Sequence, residues 1–172
     1  MHPNQRAVIN HIKYAMQQQN SPYKVFTLPN GNFREVHFSL RGPKGTIFEG
    51  GLYHGKLVLS DKYPYEAPDM VFIQESGKFE IGGAICLSFR ENPNLWSPSL
   101  GINGLIRSLQ SLFGDEEIQG IKIIRHPDKE QVARYVEQSR AFKCSACGCD
   151  HSKFYDDIQK VTDEFDSLHQ QK

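Results

Sequence analysis

The chain has 172 residues, and its 20 basic and 20 acidic side chains cancel at neutral pH. This length is ordinary for one domain with a hydrophobic core, and the balanced charge argues against general nucleic-acid binding and for protein partners. No stretch approaches the roughly 18 apolar residues of a membrane span, so we expect a soluble, cytoplasmic chain without membrane contact through this segment. Four cysteines, three of them clustered, are typical of reduced thiols.

In chain order, the first predicted element is an amphipathic helix over residues 4–17, because apolar residues recur there every three or four positions. These positions are Ala7, Val8, Ile12 and either Ala15 or Met16. Residues 23–73 then contain four short β-rich runs separated by turn-forming residues, which predict an antiparallel meander of four strands. The stretch 77–100 has no regular period around the short strand AICLSF, and its Gly, Pro and Asn content indicates an active-site loop.

Helical spacing over residues 102–113 and again after Pro127 predicts C-terminal helices, so the fold class is α+β. Residues 143–172 are predicted to form a cysteine-rich tail and an amphipathic helix. The apolar seam of that helix consists of Phe154, Ile158, Val161, Phe165 and Leu168. Two heptads are short for a coiled coil, so we expect this helix to dock on the core or to fray.

Several sequence blocks occur together: HFSLRGP, FEGGLYHG, SGKF, ICLS, PNLWSP and SRAFKCSACG. Their order resembles the ubiquitin-conjugating enzymes, and most of all the branch anchored at the endoplasmic reticulum for degradation of misfolded proteins. The resemblance implies a catalytic core over residues 1–142 with the ubiquitin-conjugating fold. It also implies that ubiquitin is accepted from an activating enzyme as a thioester and passed to substrate amines with a RING-type ligase, without metal or organic cofactor.

Cys86 in ICLS is the predicted thioester cysteine. Taken alone, a cysteine between Ile85 and Leu87 is more typical of a buried structural thiol than of a nucleophile. The surrounding blocks favour the nucleophile. A thiolate is intrinsically nucleophilic, so transthiolation needs no adjacent base, and the sequence places no histidine next to Cys86.

Transfer to an amine passes through an oxyanion, which needs a preplaced hydrogen-bond donor. The family's usual HPN motif is absent before the cysteine, and the HPN of residues 2–4 lies on another element. The resemblance implies an Asn at the position of Ser76, whose hydroxyl can still donate. Asn92 and Asn94 are alternative donors or solvated turn residues. Ser88 stands where the family often has Asp, which weakens orientation of the acceptor lysine.

The resemblance also implies two partner-binding surfaces. Tyr65 in one loop, with Ser97 and Pro98 in another, matches the positions that contact RING-type ligases. Arg6 and Lys13 match the basic helix face that docks the activating enzyme. A turn aromatic packed on its own loop, and solvated charges, are the alternatives for these residues.

The tail carries four metal-ligand side chains in the spacing C-x2-C-x-C-x-H, namely Cys144, Cys147, Cys149 and His151. Four such ligands can enclose a tetrahedral zinc ion, although structural sites normally unite two separated pairs. Reduced, partly exposed thiols are the alternative.

Two further hypotheses remain open at the level of sequence. A catalytically weak ubiquitin-binding or scaffold variant is suggested by the missing HPN motif and by Ser76, and a zinc-stabilised interaction module would rest on the tail alone. The resembling branch also implies tethering at the endoplasmic reticulum through an anchor beyond Lys172.

Overall fold

A computed structural model describes residues 4–18, 21–85, 96–115 and 126–157. Its elements are helix α1 (Gln5–Met16), strands β1 (Tyr23–Thr27), β2 (Glu35–Arg41), β3 (Leu52–Val58) and β4 (Asp69–Phe72), helices α2 (Gly101–Ser111) and α3 (Lys129–Ser139), and a short 3-10 helix (His151–Lys153). The predicted α+β order of helix, four strands and later helices is confirmed. Most of the predicted loop strand and of the tail helix lies outside the described residues.

The four strands form one antiparallel sheet in the order β1-β2-β3-β4. Phe38 on β2 pairs with Gly55 on β3, and Gly55 pairs in turn with Phe72 on β4. A Cβ on Gly55 would lie 2.7 Å from the Phe38 ring and 2.7 Å from the Val71 carbonyl oxygen. The glycine therefore lets the Phe38 and Phe72 rings meet over the sheet, with centroids 5.7 Å apart.

The core lies between one face of this sheet and helices α1 and α2. Helix α1 contributes Val8, Ile12 and Ala15, so packing selects Ala15 over Met16, which is half exposed. Helix α2 contributes a parallel stripe of Ile102, Leu105, Ile106 and Leu109. The buried stripes agree with the spacing in the sequence because each helix covers the sheet with a single face.

The opposite face of the sheet is covered by the chain that follows α3. Leu52, Cys144, Cys149 and Phe154 form a second buried cluster there. Asp128 caps the N-terminus of helix α3, and its carboxylate accepts the backbone N–H groups of Glu130 and Gln131. Among the residues that the structure describes, no helix combines the length and apolar character needed to cross a bilayer.

Candidate functional site

The chain enters the predicted active site along the edge of the sheet at β4. Ala84 forms an isolated bridge with Val71, and the backbone N–H of Ile85 donates to the Met70 carbonyl over 2.8 Å. Ile85 is 2% exposed and belongs to the core. The residue before the predicted nucleophile is therefore anchored to a strand. The predicted site residues outside the described part of the chain are Cys86, Ser88, Asn92 and Asn94.

Ser76, the candidate oxyanion donor, lies in a buried turn and is 0% exposed. Its Oγ accepts the backbone N–H of Lys78 over 3.1 Å and that of Phe79 over 3.3 Å. Both bonds use the oxygen as acceptor, so the hydroxyl hydrogen is still available for donation. Ser76 thus has a structural role in the turn that is separate from any role in catalysis.

Helix α3 packs closely against the same turn. Gly77 has a φ of +75°, and a Cβ there would lie 2.7 Å from Cγ2 of Val132. The Phe79 ring stacks on Phe72 with centroids 4.9 Å apart, which ties the end of the turn to the core. Glycine at this position meets both the positive φ and the close approach of the helix.

The two predicted ligase-binding loops are joined to each other. The indole N–H of Trp96 donates to the Pro64 carbonyl over 3.0 Å, and the Trp96 ring lies against Tyr63 with centroids 5.9 Å apart. Trp96 is 9% exposed, whereas Tyr65 is 73% exposed. Ser97 and Pro98 are also exposed. These predicted contact residues therefore sit on two loops with a common buried anchor.

Helix α1 is attached to the first of these loops. Nδ1 of His11 lies 2.5 Å from the Tyr63 hydroxyl, and the Asn4 amide donates to the Asp61 carbonyl over 3.2 Å. Burial lowers the pKa of His11, so its neutral ring accepts the phenol hydrogen at neutral pH. Arg6 and Lys13 are exposed on this helix. The contacts of Asn4 and His11 therefore hold helix α1 against the loop that carries Tyr65.

A second constellation lies on the other face of the sheet, where the tail covers it. One group of possible ligand atoms comes from His37, His54, Cys144 and Cys147, and a second comes from His54, Cys149 and His151; within each group all atoms lie within 4.8 Å of one another. The four tail residues picked out by spacing are thus divided between two groups, and His37 on β2 and His54 on β3 join them.

Sequence reasoning missed the two sheet histidines. His54 pairs with Ser39 across β2 and β3, so His37 and His54 are diagonal neighbours on one face. Nδ1 of His37 lies 3.1 Å from Nε2 of His54. The available signal was one histidine in each of two neighbouring strands, but only the register puts both on one face.

Hydrogen bonds link the cluster to its surroundings. Nδ1 of His151 lies 2.5 Å from the Ser139 carbonyl oxygen, and its Nε2 lies 2.8 Å from Oγ of Ser39. The same Ser39 oxygen lies 2.8 Å from Nδ1 of His54. On the far side, Nε2 of His37 lies 3.0 Å from a carboxylate oxygen of Glu35.

Burial sets the protonation states in the cluster. It lowers the pKa of His54 to about 3, and electrostatic repulsion between its protonated ring and the neighbouring histidines adds to the effect. It also lowers the pKa of His151, against the opposing hydrogen bond to Ser139. Burial raises the pKa of the Cys147 thiol to about 12. At neutral pH, the His54 and His151 rings are therefore uncharged, and without a cation the Cys147 thiol stays protonated.

Most of the chain is similar to known proteins of one family. A family model described as "Ubiquitin-conjugating enzyme" matches residues 8–149. The human "Ubiquitin-conjugating enzyme E2 J1" is 33% identical over 118 residues, which are 68% of this chain and 37% of that protein. The "Ubiquitin-conjugating enzyme E2 J2-like" of Dictyostelium discoideum is 29% identical over 136 residues, or 77% of this chain and 80% of that protein. The chain spans 37% of the length of the mouse and human E2 J1 proteins.

Solved structures show the same likeness in fold. A putative ubiquitin conjugating enzyme from Plasmodium yoelii gives a TM-score of 0.59 at 24% identity and covers 80% of this chain and 90% of its own. Human ubiquitin-conjugating enzyme E2 G1 gives a TM-score of 0.58 at 20% identity, covering 67% of this chain and 98% of its own. The fold expected from the motif blocks is confirmed.

Proposed function

The chain belongs to the ubiquitin-conjugating enzyme family, and we propose that it accepts ubiquitin as a thioester on Cys86 and transfers it to amines of a protein substrate. The observation that carries the proposal is the family match over residues 8–149, which includes Cys86 in ICLS. The pairing of Ile85 with β4 supports it, because a nucleophile that follows an anchored residue starts from a defined backbone position.

The proposed reaction has two acyl transfers. The Cys86 sulfur attacks the ubiquitin carbonyl held on the activating enzyme, and the thiolate of that enzyme leaves. An acceptor amine then attacks the same carbonyl, the Cys86 thiolate leaves, and the amine gives up a proton. Each step forms an oxyanion, for which Ser76, Asn92 and Asn94 are the proposed donors. The reaction needs no metal or organic cofactor.

The partners follow from the same family membership. We assign the activating enzyme to the α1 face with Arg6 and Lys13, and a RING-type ligase to Tyr65, Ser97 and Pro98. The Trp96–Pro64 hydrogen bond supports a ligase surface on both loops, because it limits their independent motion. Degradation of misfolded proteins at the endoplasmic reticulum stays a prediction from the resemblance.

A charging assay with activating enzyme, ATP and ubiquitin tests the proposal. We expect an adduct of one ubiquitin that thiols cleave, that Cys86→Ala abolishes, and that Cys86→Ser renders resistant to thiols, because an oxyester does not exchange with thiols as a thioester does. Cys149→Ser is the control and should charge normally. No charging of the wild type would favour the scaffold variant instead, and charging that survives Cys86→Ala would move the nucleophile elsewhere.

A further inference from the structure

The hydrogen-bond chain through Ser39 determines which nitrogen of His54 carries a proton. The Ser139 carbonyl can only accept, so Nδ1 of His151 must donate to it. The neutral His151 ring then accepts at Nε2 from the Ser39 hydroxyl, and the Ser39 oxygen in turn accepts from Nδ1 of His54. Nε2 of His54 is left with a bare lone pair.

The ring of His37 is oriented by the Glu35 carboxylate. Its Nε2 lies 3.0 Å from Glu35, and a carboxylate can only accept, so Nε2 carries the proton. Nδ1, the other nitrogen of the His37 ring, faces Nε2 of His54 at 3.1 Å. These two nitrogens can be satisfied either by the thiol hydrogens of Cys144 and Cys147 or by one metal ion that all four atoms share.

The positions of the sulfur atoms fit a shared metal ion. Sγ of Cys144 lies 3.6 Å from Nδ1 of His37, and Sγ of Cys147 lies 3.6 Å from Nε2 of His54. Tetrahedral zinc, with bonds of about 2.0 Å to nitrogen and 2.3 Å to sulfur, places N and S ligands about 3.5 Å apart and two N ligands about 3.3 Å apart. Neutral thiols would give each nitrogen one weak S–H bond, whereas a metal ion at the centre would bind all four atoms at once.

The backbone of the tail presents the two cysteines together. Lys143 and Asp150 form an antiparallel bridge, and Cys144 bonds through its N–H to the Cys149 carbonyl over 2.9 Å. Gly148 closes the turn with a φ of +75° and an N–H bond of 2.9 Å to the Cys144 carbonyl. Residues 143–150 therefore form a hairpin that supplies one ligand pair, Cys144 and Cys147. The sheet supplies the separated second pair that structural zinc sites use.

We propose that His37, His54, Cys144 and Cys147 bind one zinc ion, which fastens the C-terminal tail to the outer face of the sheet. Two thiolates and two imidazoles are a preferred zinc ligand set, and four protein ligands make a closed, structural site. Glu35 orients His37, and the Ser39 chain orients His54, as carboxylates and hydroxyls do around metal-bound histidines. Cys149 and His151 are outside the set because Ser39 already occupies the facing nitrogens of His54 and His151.

The ion would join strands β2 and β3 to the segment after α3, which is far from both strands in the chain. Its binding energy would be folding energy for the tail, because no preformed site exists in the unfolded chain. This role is independent of Cys86, so the proposed conjugating activity and the zinc site can fail separately.

The test measures metal in the full chain with Cys86→Ala as background, which removes a thiol that binds metal adventitiously. After purification under reducing conditions, we expect about one zinc per chain by elemental analysis. Replacement with Co2+ should give the visible bands of tetrahedral cobalt and a sulfur-to-cobalt charge-transfer band. Cys147→Ser should abolish both signals, and Cys149→Ser, in the same hairpin, should keep both.

Three results would overturn the proposal. One is a folded background chain that contains no zinc and gives no tetrahedral cobalt spectrum, which would leave the thiols of Cys144 and Cys147 as hydrogen-bond donors to the two histidines. Another is full metal content in Cys147→Ser. The third is loss of metal in Cys149→Ser equal to that in Cys147→Ser, which would assign the ion to a different ligand set. Circular dichroism confirms that each variant is folded.

Discussion

Ser76→Ala separates the structural role of this residue from its proposed catalytic role. Alanine removes the acceptor of two backbone N–H groups, those of Lys78 and Phe79, in a site where Ser76 is 0% exposed. A buried donor left unsatisfied costs about 1 to 3 kcal/mol. Two such donors make about 2 to 6 kcal/mol, and we expect the free energy of unfolding to fall by this amount. A domain in the middle of the usual stability range, about 10 kcal/mol, stays folded after such a loss.

Urea unfolding followed by tryptophan fluorescence measures this change. The chain has a single tryptophan, and Trp96 is buried, so its emission reports loss of the core. Ser99→Ala is the control, because Ser99 is exposed and bonds only to the exposed Ser97 hydroxyl among the described residues. The control should change the unfolding free energy by no more than about 0.5 kcal/mol. A Ser76→Ala variant as stable as the wild type would contradict the structural role.

Discharge kinetics, measured well below the unfolding midpoint, test the catalytic role. If the Ser76 hydroxyl donates to the oxyanion, Ser76→Ala should charge almost normally and transfer ubiquitin to an amine about ten- to a thousandfold more slowly. Ser76→Asn should retain transfer, because an Asn oxygen can accept the same turn N–H groups while its amide donates. Equal transfer rates in wild type and Ser76→Ala would reject Ser76 as donor and leave Asn92 or Asn94.

Two further substitutions test the sheet and the ligase surface. Gly55→Ala should lower the unfolding free energy by about 1 to 3 kcal/mol in urea denaturation, because its Cβ would lie 2.7 Å from the Phe38 ring. Gly83→Ala is the control and should have a far smaller effect, because the nearest atom to its Cβ would be 3.4 Å away. Equal losses in the two variants would refute the packing argument. Tyr65→Ala should weaken binding to a cognate RING domain by about 1 to 2 kcal/mol in calorimetry, while charging with ubiquitin is unchanged. Ile47→Ala, which also replaces an exposed side chain, is the control and should bind normally. Unchanged binding in Tyr65→Ala would remove Tyr65 from the interface.

The local sequence pattern was sufficient to predict the helices and strands. The spacing of Val8 and Ile12 predicts the buried face of α1, since an amphipathic helix covers a core with one stripe regardless of its partner. The same spacing allows either Ala15 or Met16 as the last core residue. Only packing against the sheet decides, and it buries Ala15.

The cluster of His37, His54, Cys144 and Cys147 could not be predicted from the sequence pattern. His37 and Ser39 alternate with the core residue Phe38 on β2, and polar residues in alternation with apolar ones predict a face turned to solvent. That face is buried instead, because the tail more than 100 positions later in the chain folds over it. C-x2-C spacing by itself determines one ligand pair. The second pair exists only when strand register sets His37 diagonal to His54 and the tail hairpin closes over both, which are contacts between distant segments that no local period encodes.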